Sequence, residues 1–243
     1  MEHWETLCAG GYRFAWDDAL FRPGTDSFVL SSMPRLKRGG KVCDLGSGTG
    51  LLGLLLLQRE PTLTVTGLEQ STDAVTLADR CASANGLAGR LLSRCMDLRD
   101  ARACFPSGAF DLVVSNPPYF PDGHGRPSPD AVRRAARHES ACTLSELAVT
   151  AAYLLRWGGA FCLVQKPERL ADVFCALREA HCEAKRLRMV CATAAAPPSL
   201  VLVEGRRGGK PGLSWERPLV LRDADGVPTP ELDAIYFRTL PAP

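Results

Sequence analysis

At 243 residues, with 46% hydrophobic and 23% charged side chains, the chain has the make-up of one globular domain with a substantial core, which excludes a disordered or fibrous polypeptide. A net charge of +2 permits a polyanionic partner without demanding one. Ten scattered cysteines without a CxxC pair exclude a disulfide framework or zinc site, and the apolar run Leu51–Leu57 is too short to span a bilayer, so a reduced, cytoplasmic protein is expected.

Residues 1–40 read as a preface. Tyr12–Trp16 has the pattern of a short strand, and Pro23-Gly24-Thr25-Asp26 is a turn in which Thr25 or Asp26 can cap an apolar helix from Ser27 to Met33. From Lys41 the pattern alternates. Strand Lys41–Leu45 precedes the apolar helix Gly50–Gln58; strand Leu63–Leu68 precedes helix Thr72–Ala84, which stops at Asn85-Gly86. Strands Leu91–Cys95 and Phe110–Ser115 come next. Thr143 and Glu146 predict a capping box on a helix that runs to Trp157, where Gly158-Gly159 ends it.

Strand Ala160–Gln165, helix Glu168–Ala180 and strands Arg186–Cys191 and Leu200–Glu204 complete the pattern. No long helix separates the last two strands, so they are expected to pair as an antiparallel edge. This pitch predicts an α/β fold, a doubly wound, mostly parallel seven-stranded sheet over residues 41–207. Residues 208–243 read as a Gly- and Pro-rich extension of the same domain, with a hairpin turn at Asp225-Gly226 and a short last element, Glu231–Phe237.

Two strand ends carry chemistry. After the first comes Asp44-Leu45-Gly46-Ser47-Gly48-Thr49-Gly50, whose alternate glycines let the backbone turn tightly against a ligand, facing the N-terminus of the next helix. Glu69 closes the second strand, where a carboxylate can accept ribose hydroxyls, and Asp97 follows the third, placed for an adenine amino group. Gly48, Gly50 and Gly53 also satisfy the GxGxxG spacing of a dinucleotide site, with Glu69 serving an NAD ribose. The fourth strand breaks off into Asn116-Pro117-Pro118-Tyr119, a stiff extended tip bearing an amide, carbonyls and a ring. Such a tip suits a planar group with an NH₂; the plainer reading is a loop opener with a half-buried tyrosine.

The glycine loop resembles the first motif of S-adenosylmethionine-dependent methyltransferases. Joined to Asn116–Tyr119 after strand four, it resembles the amino-group methyltransferases that act on adenine N6, cytosine N4 or glutamine N5. Pro23-Gly24-Thr25-Asp26, Asn116–Phe120, Arg137-His138-Glu139, Val203-Glu204-Gly205-Arg206 and Gly209-Lys210-Pro211-Gly212 extend the match, so the chain resembles the bacterial tRNA(Val) adenine-37 N6-methyltransferase family. Release-factor glutamine methyltransferases share Asn-Pro-Pro-Tyr but carry a helical domain for which residues 1–40 leave no room.

The resemblance implies a Rossmann-like class I methyltransferase fold, S-adenosylmethionine as cofactor and an adenine in a tRNA anticodon loop as acceptor. Protein glutamine N5 is the alternative acceptor. It implies catalytic roles for Asn116, Pro117, Pro118 and Tyr119. Thr25, Asp26, Asp44, Gly46, Gly48, Gly50, Glu69, Asp97 and Asn116 would hold the cofactor, with residues 1–40 packed on its site. Phe120, Arg133, Arg137 and His138 would meet the substrate. Arg133, Arg134 and Arg137, with Lys185, Arg186, Arg188, Arg206, Arg207 and Lys210, are candidates for gripping RNA, or form an ordinary solvated face. Where many relatives carry basic residues before the seventh strand, this chain has Ala194–Pro198. A monomer is the expected state.

Overall fold

The computed structural model describes residues 1–20, 23–117 and 142–238. The chain starts with β1 (Glu2–Thr6) and β2 (Arg13–Asp17), paired antiparallel as a separate hairpin. The sequence pattern anticipates β2 but not the charged β1. That strand is held from outside: Arg80 binds the Glu2 carboxylate through both guanidinium ends, at 2.6 and 2.8 Å, and His3 stacks on Trp16. Helix α1 (Thr25–Ser31) follows. The expected side-chain cap is not formed: Gly24 is the N-cap, and Thr25 and Asp26 are already in the first turn.

Among the described residues the main sheet has nine strands, in the order β10-β8-β9-β7-β6-β3-β4-β5, with β11 also on β8. They are β3 (Lys41–Leu45), β4 (Thr64–Glu69), β5 (Leu91–Cys95), β6 (Phe110–Ser115), β7 (Leu155–Gln165), β8 (Cys182–Cys191), β9 (Pro198–Arg207), β10 (Ser214–Trp215) and β11 (Leu219–Val220). The seven longer strands are those the sequence pattern predicts; β10 and β11 are two-residue additions running parallel to β8. The antiparallel strand is β9, inserted between β7 and β8 on the outer side of the sheet. The chain runs outward through β3, β4 and β5, then returns to lay β6 on the other side of β3. That reversal opens a crevice at the carboxyl ends of β3 and β6, where open α/β sheets bind ligands.

One sheet face is covered by α1, α2 (Leu51–Arg59) and α3 (Thr72–Ala84), together with Phe14, Trp16, Ile235 and Phe237 from the two ends of the chain. Helix α2 is buried along Leu51–Leu57, as its unbroken apolar run requires. The other face carries α4 (Ala101–Cys104), α5 (Leu144–Leu154) and α6 (Leu170–Glu179). Both halves of the Thr143–Glu146 capping box are present on α5. That helix stops at Leu154 rather than at Trp157. Leu155 is extended and pairs with Phe110, and Arg156 Nε donates to Asp111 Oδ1 at 2.6 Å, so strand pairing overrides a weak local helix preference. Of the ten free cysteines, Cys43, Cys81, Cys162, Cys182 and Cys191 are buried, whereas Cys95, Cys104 and Cys175 are exposed.

Residues 208–238 close the fold. The turn at Asp225-Gly226 brings Arg222 to Pro228 in an antiparallel bridge, and Thr229 then caps α7 (Pro230–Ile235). Among the described residues no helix is long and apolar enough to cross a membrane.

Candidate active site

The first half of the crevice is the loop after β3. Gly46, Gly48 and Gly50 have φ of +72°, +52° and +80°, a left-handed region that side chains disfavour. Gly46 and Ser47 both donate their N–H to the Leu68 carbonyl, at 2.9 and 3.2 Å, which pulls the loop against β4. This approach requires Gly67, because a Cβ there would sit 2.4 Å from Ser47 Oγ. On the open side nothing lies within 4 Å of a Cβ built at Gly46 or Gly48. A space lined by backbone alone is a cradle for a ligand. Gly46→Ala is therefore expected to lower stability only by the left-handed backbone cost, about 1 kcal/mol, yet to weaken binding of the S-adenosylmethionine that the resemblance implies at least roughly tenfold. Urea unfolding and calorimetric titration of one preparation would read both quantities.

Glu69, at the end of β4, accepts from Gly48 N through Oε2 and from Ser71 N through Oε1, both at 2.9 Å. Its carboxylate thus ties the glycine loop to the start of α3. Beside it Asp44 is 2% exposed, and its Oδ2 has no hydrogen-bond partner among the described residues. Burial, reinforced by the negative charge of Glu69, pushes the Asp44 carboxyl up to about 8. A buried carboxylate without a partner is costly and calls for an explanation; a cation placed against it would supply one. Asp97 caps the turn after β5 and is clamped by Arg99 Nε and Nη2, whose hydrogen bonds hold it below the usual carboxylate range.

The second half is the end of β6. Asp44 pairs with Val114, so Gly46 and Asn116, each two residues further on, leave the sheet side by side. Between them Ser115 Oγ donates to the Leu45 carbonyl at 2.7 Å, a buried bond joining the two strand ends. Asn116 turns toward α1, and its Nδ2 donates to Ser27 Oγ at 3.0 Å. Thr25, one helical position from Asp26, receives a hydrogen bond from Tyr236 OH at 3.3 Å. The sequence reading missed Ser27, Ser115 and Tyr236. The only local signal for Ser27 was a small polar residue opening the apolar run Phe28-Val29-Leu30.

Asp44, Gly46, Gly48, Gly50, Glu69, Thr25, Asp26 and Asn116 thus gather at one end of the sheet, with Asp97 at the end of the adjacent outer strand. Pro117 is the last described residue of the tip; Pro118, Tyr119, Phe120, Arg133, Arg134, Arg137, His138 and Glu139 lie outside the described residues. The basic candidates on β8 and β9, and Lys210 beyond them, are set apart from the crevice or engaged within the fold. Arg206 pairs with Ala160, and Ala160 with Leu112, so Arg206 and Arg207 lie toward the opposite end of the sheet from Asn116, while Lys185 sits mid-strand and donates to the Lys210 carbonyl. Antiparallel β9 carries its last residues away from the crevice. Several are also committed internally: Arg186 and Arg206 to buried Glu204, Arg207 to the Leu155 carbonyl, Arg188 to Glu231.

The crevice fits an elongated ligand with a cationic end and a ribose, as the resemblance implies: an orphaned carboxylate, a side-chain-free cradle and acidic groups ending the next two strands. Residues 22–180 match the methyltransferase small domain. The chain is 32% identical to a tRNA1(Val) (adenine(37)-N6)-methyltransferase of Tolumonas auensis, over 94% of this chain and 98% of that one. It is also 32% identical to a release factor glutamine methyltransferase of Chlorobaculum tepidum, over 67% of this chain and 61% of the relative. Among solved structures, a predicted O-methyltransferase from Agrobacterium tumefaciens superposes with a TM-score of 0.72 at 20% identity, covering 87% of this chain and 95% of that one. That likeness speaks for the fold alone.

Proposed function

Since the chain belongs to the methyltransferase small domain family, alongside the bacterial tRNA1(Val) (adenine(37)-N6)-methyltransferases, we propose that it methylates the exocyclic N6 of an adenine in tRNA, at the anticodon-loop position those relatives are named for. The observation that carries the chemistry is the juxtaposition of Asn116 with the Gly46–Gly50 loop across the β3–β6 crevice. When bound, S-adenosylmethionine supplies an electrophilic methyl group on a sulfonium centre. Asp44 would receive the ammonium of its methionine moiety, Glu69 the ribose hydroxyls and Asp97 the adenine amino group, while the bare backbone of Gly46 and Gly48 gives it room.

The residues of the tip act on the acceptor. An exocyclic amine is a weak nucleophile because its lone pair is delocalised into the ring. Asn116 Oδ1 and the Pro117 carbonyl accept its two hydrogens and draw the nitrogen toward a tetrahedral shape, which frees that lone pair. Tyr119 and Phe120, next in sequence, would stack on the base, worth about 1–3 kcal/mol. No side chain must remove a proton beforehand, because the nitrogen becomes cationic on transfer and then sheds it. What the protein contributes is position and electrostatics.

A protein glutamine offers a similar planar NH₂, and one relative acts in that class. The adenine enzyme of Tolumonas is matched along 98% of its length and the glutamine enzyme along 61%, which favours tRNA. The test is incubation with radiolabelled S-adenosylmethionine and either total tRNA or a release-factor peptide. N6-methyladenosine in digested tRNA is expected; label confined to the peptide reverses the assignment.

A further inference from the structure

Resting on the reading of Asn116 as the group that takes the acceptor amine, we propose that Ser27 is a positioning residue that fixes the Asn116 amide, and that Tyr236, close to the C-terminus, holds Ser27 in register. Nothing in the sequence ties these residues together. Asn116 lies 89 positions from Ser27, and Tyr236 lies 211 from Thr25.

A carboxamide has two ends of nearly equal size and opposite character, a carbonyl acceptor and an NH₂ donor. Only the acceptor end can take hydrogens from an incoming amine; the donor end would repel them. With Nδ2 committed to Ser27 Oγ at 3.0 Å, the donor end of the amide is the one that faces α1, and the carbonyl oxygen takes the opposite edge of the group. Ser27 is 6% exposed, so water does not compete readily for that hydroxyl.

Helix α1 cannot place Ser27 unaided. It is seven residues long, and its N-cap, Gly24, makes no side-chain cap bond. Helices this short are marginal alone, so outside contacts set its position. The Tyr236 ring stacks on Phe28 with centroids 4.2 Å apart and planes 2° from parallel, while its hydroxyl donates to Thr25. The Arg238 guanidinium lies 4.8 Å from the same ring. Phe237, the residue between these two in the chain, is buried and held at φ +58°, a conformation disfavoured in a residue other than glycine. The strain is tolerated where it closes α7 and seats Tyr236 against α1.

The test is a double-mutant cycle on kcat, with tRNA and S-adenosylmethionine as substrates. Ser27→Ala is expected to lower kcat roughly tenfold, the loss of about one oriented hydrogen bond, with S-adenosylmethionine affinity within about twofold. Ser27→Thr, which retains the hydroxyl, should recover most of the rate. Ser27→Cys, similar in volume but a poor acceptor, replaces the alanine variant if that one melts early. Tyr236→Phe removes only the hydroxyl and should cost roughly threefold. In an Asn116→Ala background, Ser27→Ala should add nothing. A kcat for Ser27→Ala within twofold of wild type, or an equal loss with and without the Asn116 amide, overturns the proposal. Full activity of Asn116→Ala would instead refute the reading it rests on, whatever Ser27 does.

Discussion

Asn116→Ala is expected to slow methyl transfer roughly 10²–10³-fold while changing S-adenosylmethionine affinity by less than about tenfold. The asymmetry follows from where the amide acts. Its oxygen meets the acceptor nitrogen as that centre turns tetrahedral, an interaction stronger in the transition state than in the ground state. Removing it takes away one of two acceptors and leaves the Gly46–Gly50 cradle, Asp44 and Glu69 in place. Single-turnover transfer of a labelled methyl group to tRNA, beside calorimetry of the cofactor alone, separates the two effects. A variant that transfers at the wild-type rate would sink the assignment of Asn116.

Asp44→Asn should have the opposite signature, a binding defect accompanied by a gain in stability of the ligand-free protein. The folded-state pKa of Asp44 is about 8, against an ordinary aspartate value of 3.8. Between these pH values the folded protein holds a proton that the unfolded chain has released. Stability of the ligand-free enzyme is therefore fully present below the ordinary value and falls as pH rises toward about 8. Asparagine does not titrate, so above pH 8 the variant should be the more stable protein, by on the order of a few kcal/mol, and below pH 4 the advantage should vanish.

Cofactor affinity should drop roughly 10²–10³-fold, because an ammonium placed against Asn loses its buried counter-charge. In the wild type, pairing with that ammonium requires Asp44 to ionise, so binding should tighten from pH 6 to pH 8 and release a proton. Calorimetry in buffers of different ionisation enthalpy measures that proton, and urea unfolding at two pH values measures the stability. A variant less stable at high pH that still binds S-adenosylmethionine normally would refute this account of the orphaned carboxylate.

The parts of the fold legible in the sequence are those whose burial is two-sided. Strands β3, β4 and β6 and helix α2 read as apolar runs because every direction around them is covered. The glycine loop was legible because positive φ leaves few residue choices. What escaped notice depends on long-range partners. Strand β1 is charged and forms only because β2 and Arg80 receive it. The end of α5 is set by Phe110 and Asp111 from another strand, not by the glycines that follow. The pairing of Arg206 with buried Glu204 and of Arg207 with the Leu155 carbonyl is likewise invisible in the sequence, where both read only as basic residues. Ser27 and Tyr236 are ordinary residues locally, and acquire roles only when α1 and the last helix meet.

The hydroxyl of Ser115, bonded to the Leu45 carbonyl, makes the span between the cofactor loop and the acceptor tip a property of the sheet itself. Parting the two would orphan a buried carbonyl and break the ladder between β3 and β6, so this seam is no hinge. Reach from methyl donor to acceptor nitrogen is then built in when the chain folds, as in a fixed-gap tool rather than a pair of jaws. Heating should leave that gap unchanged until the sheet melts as a unit.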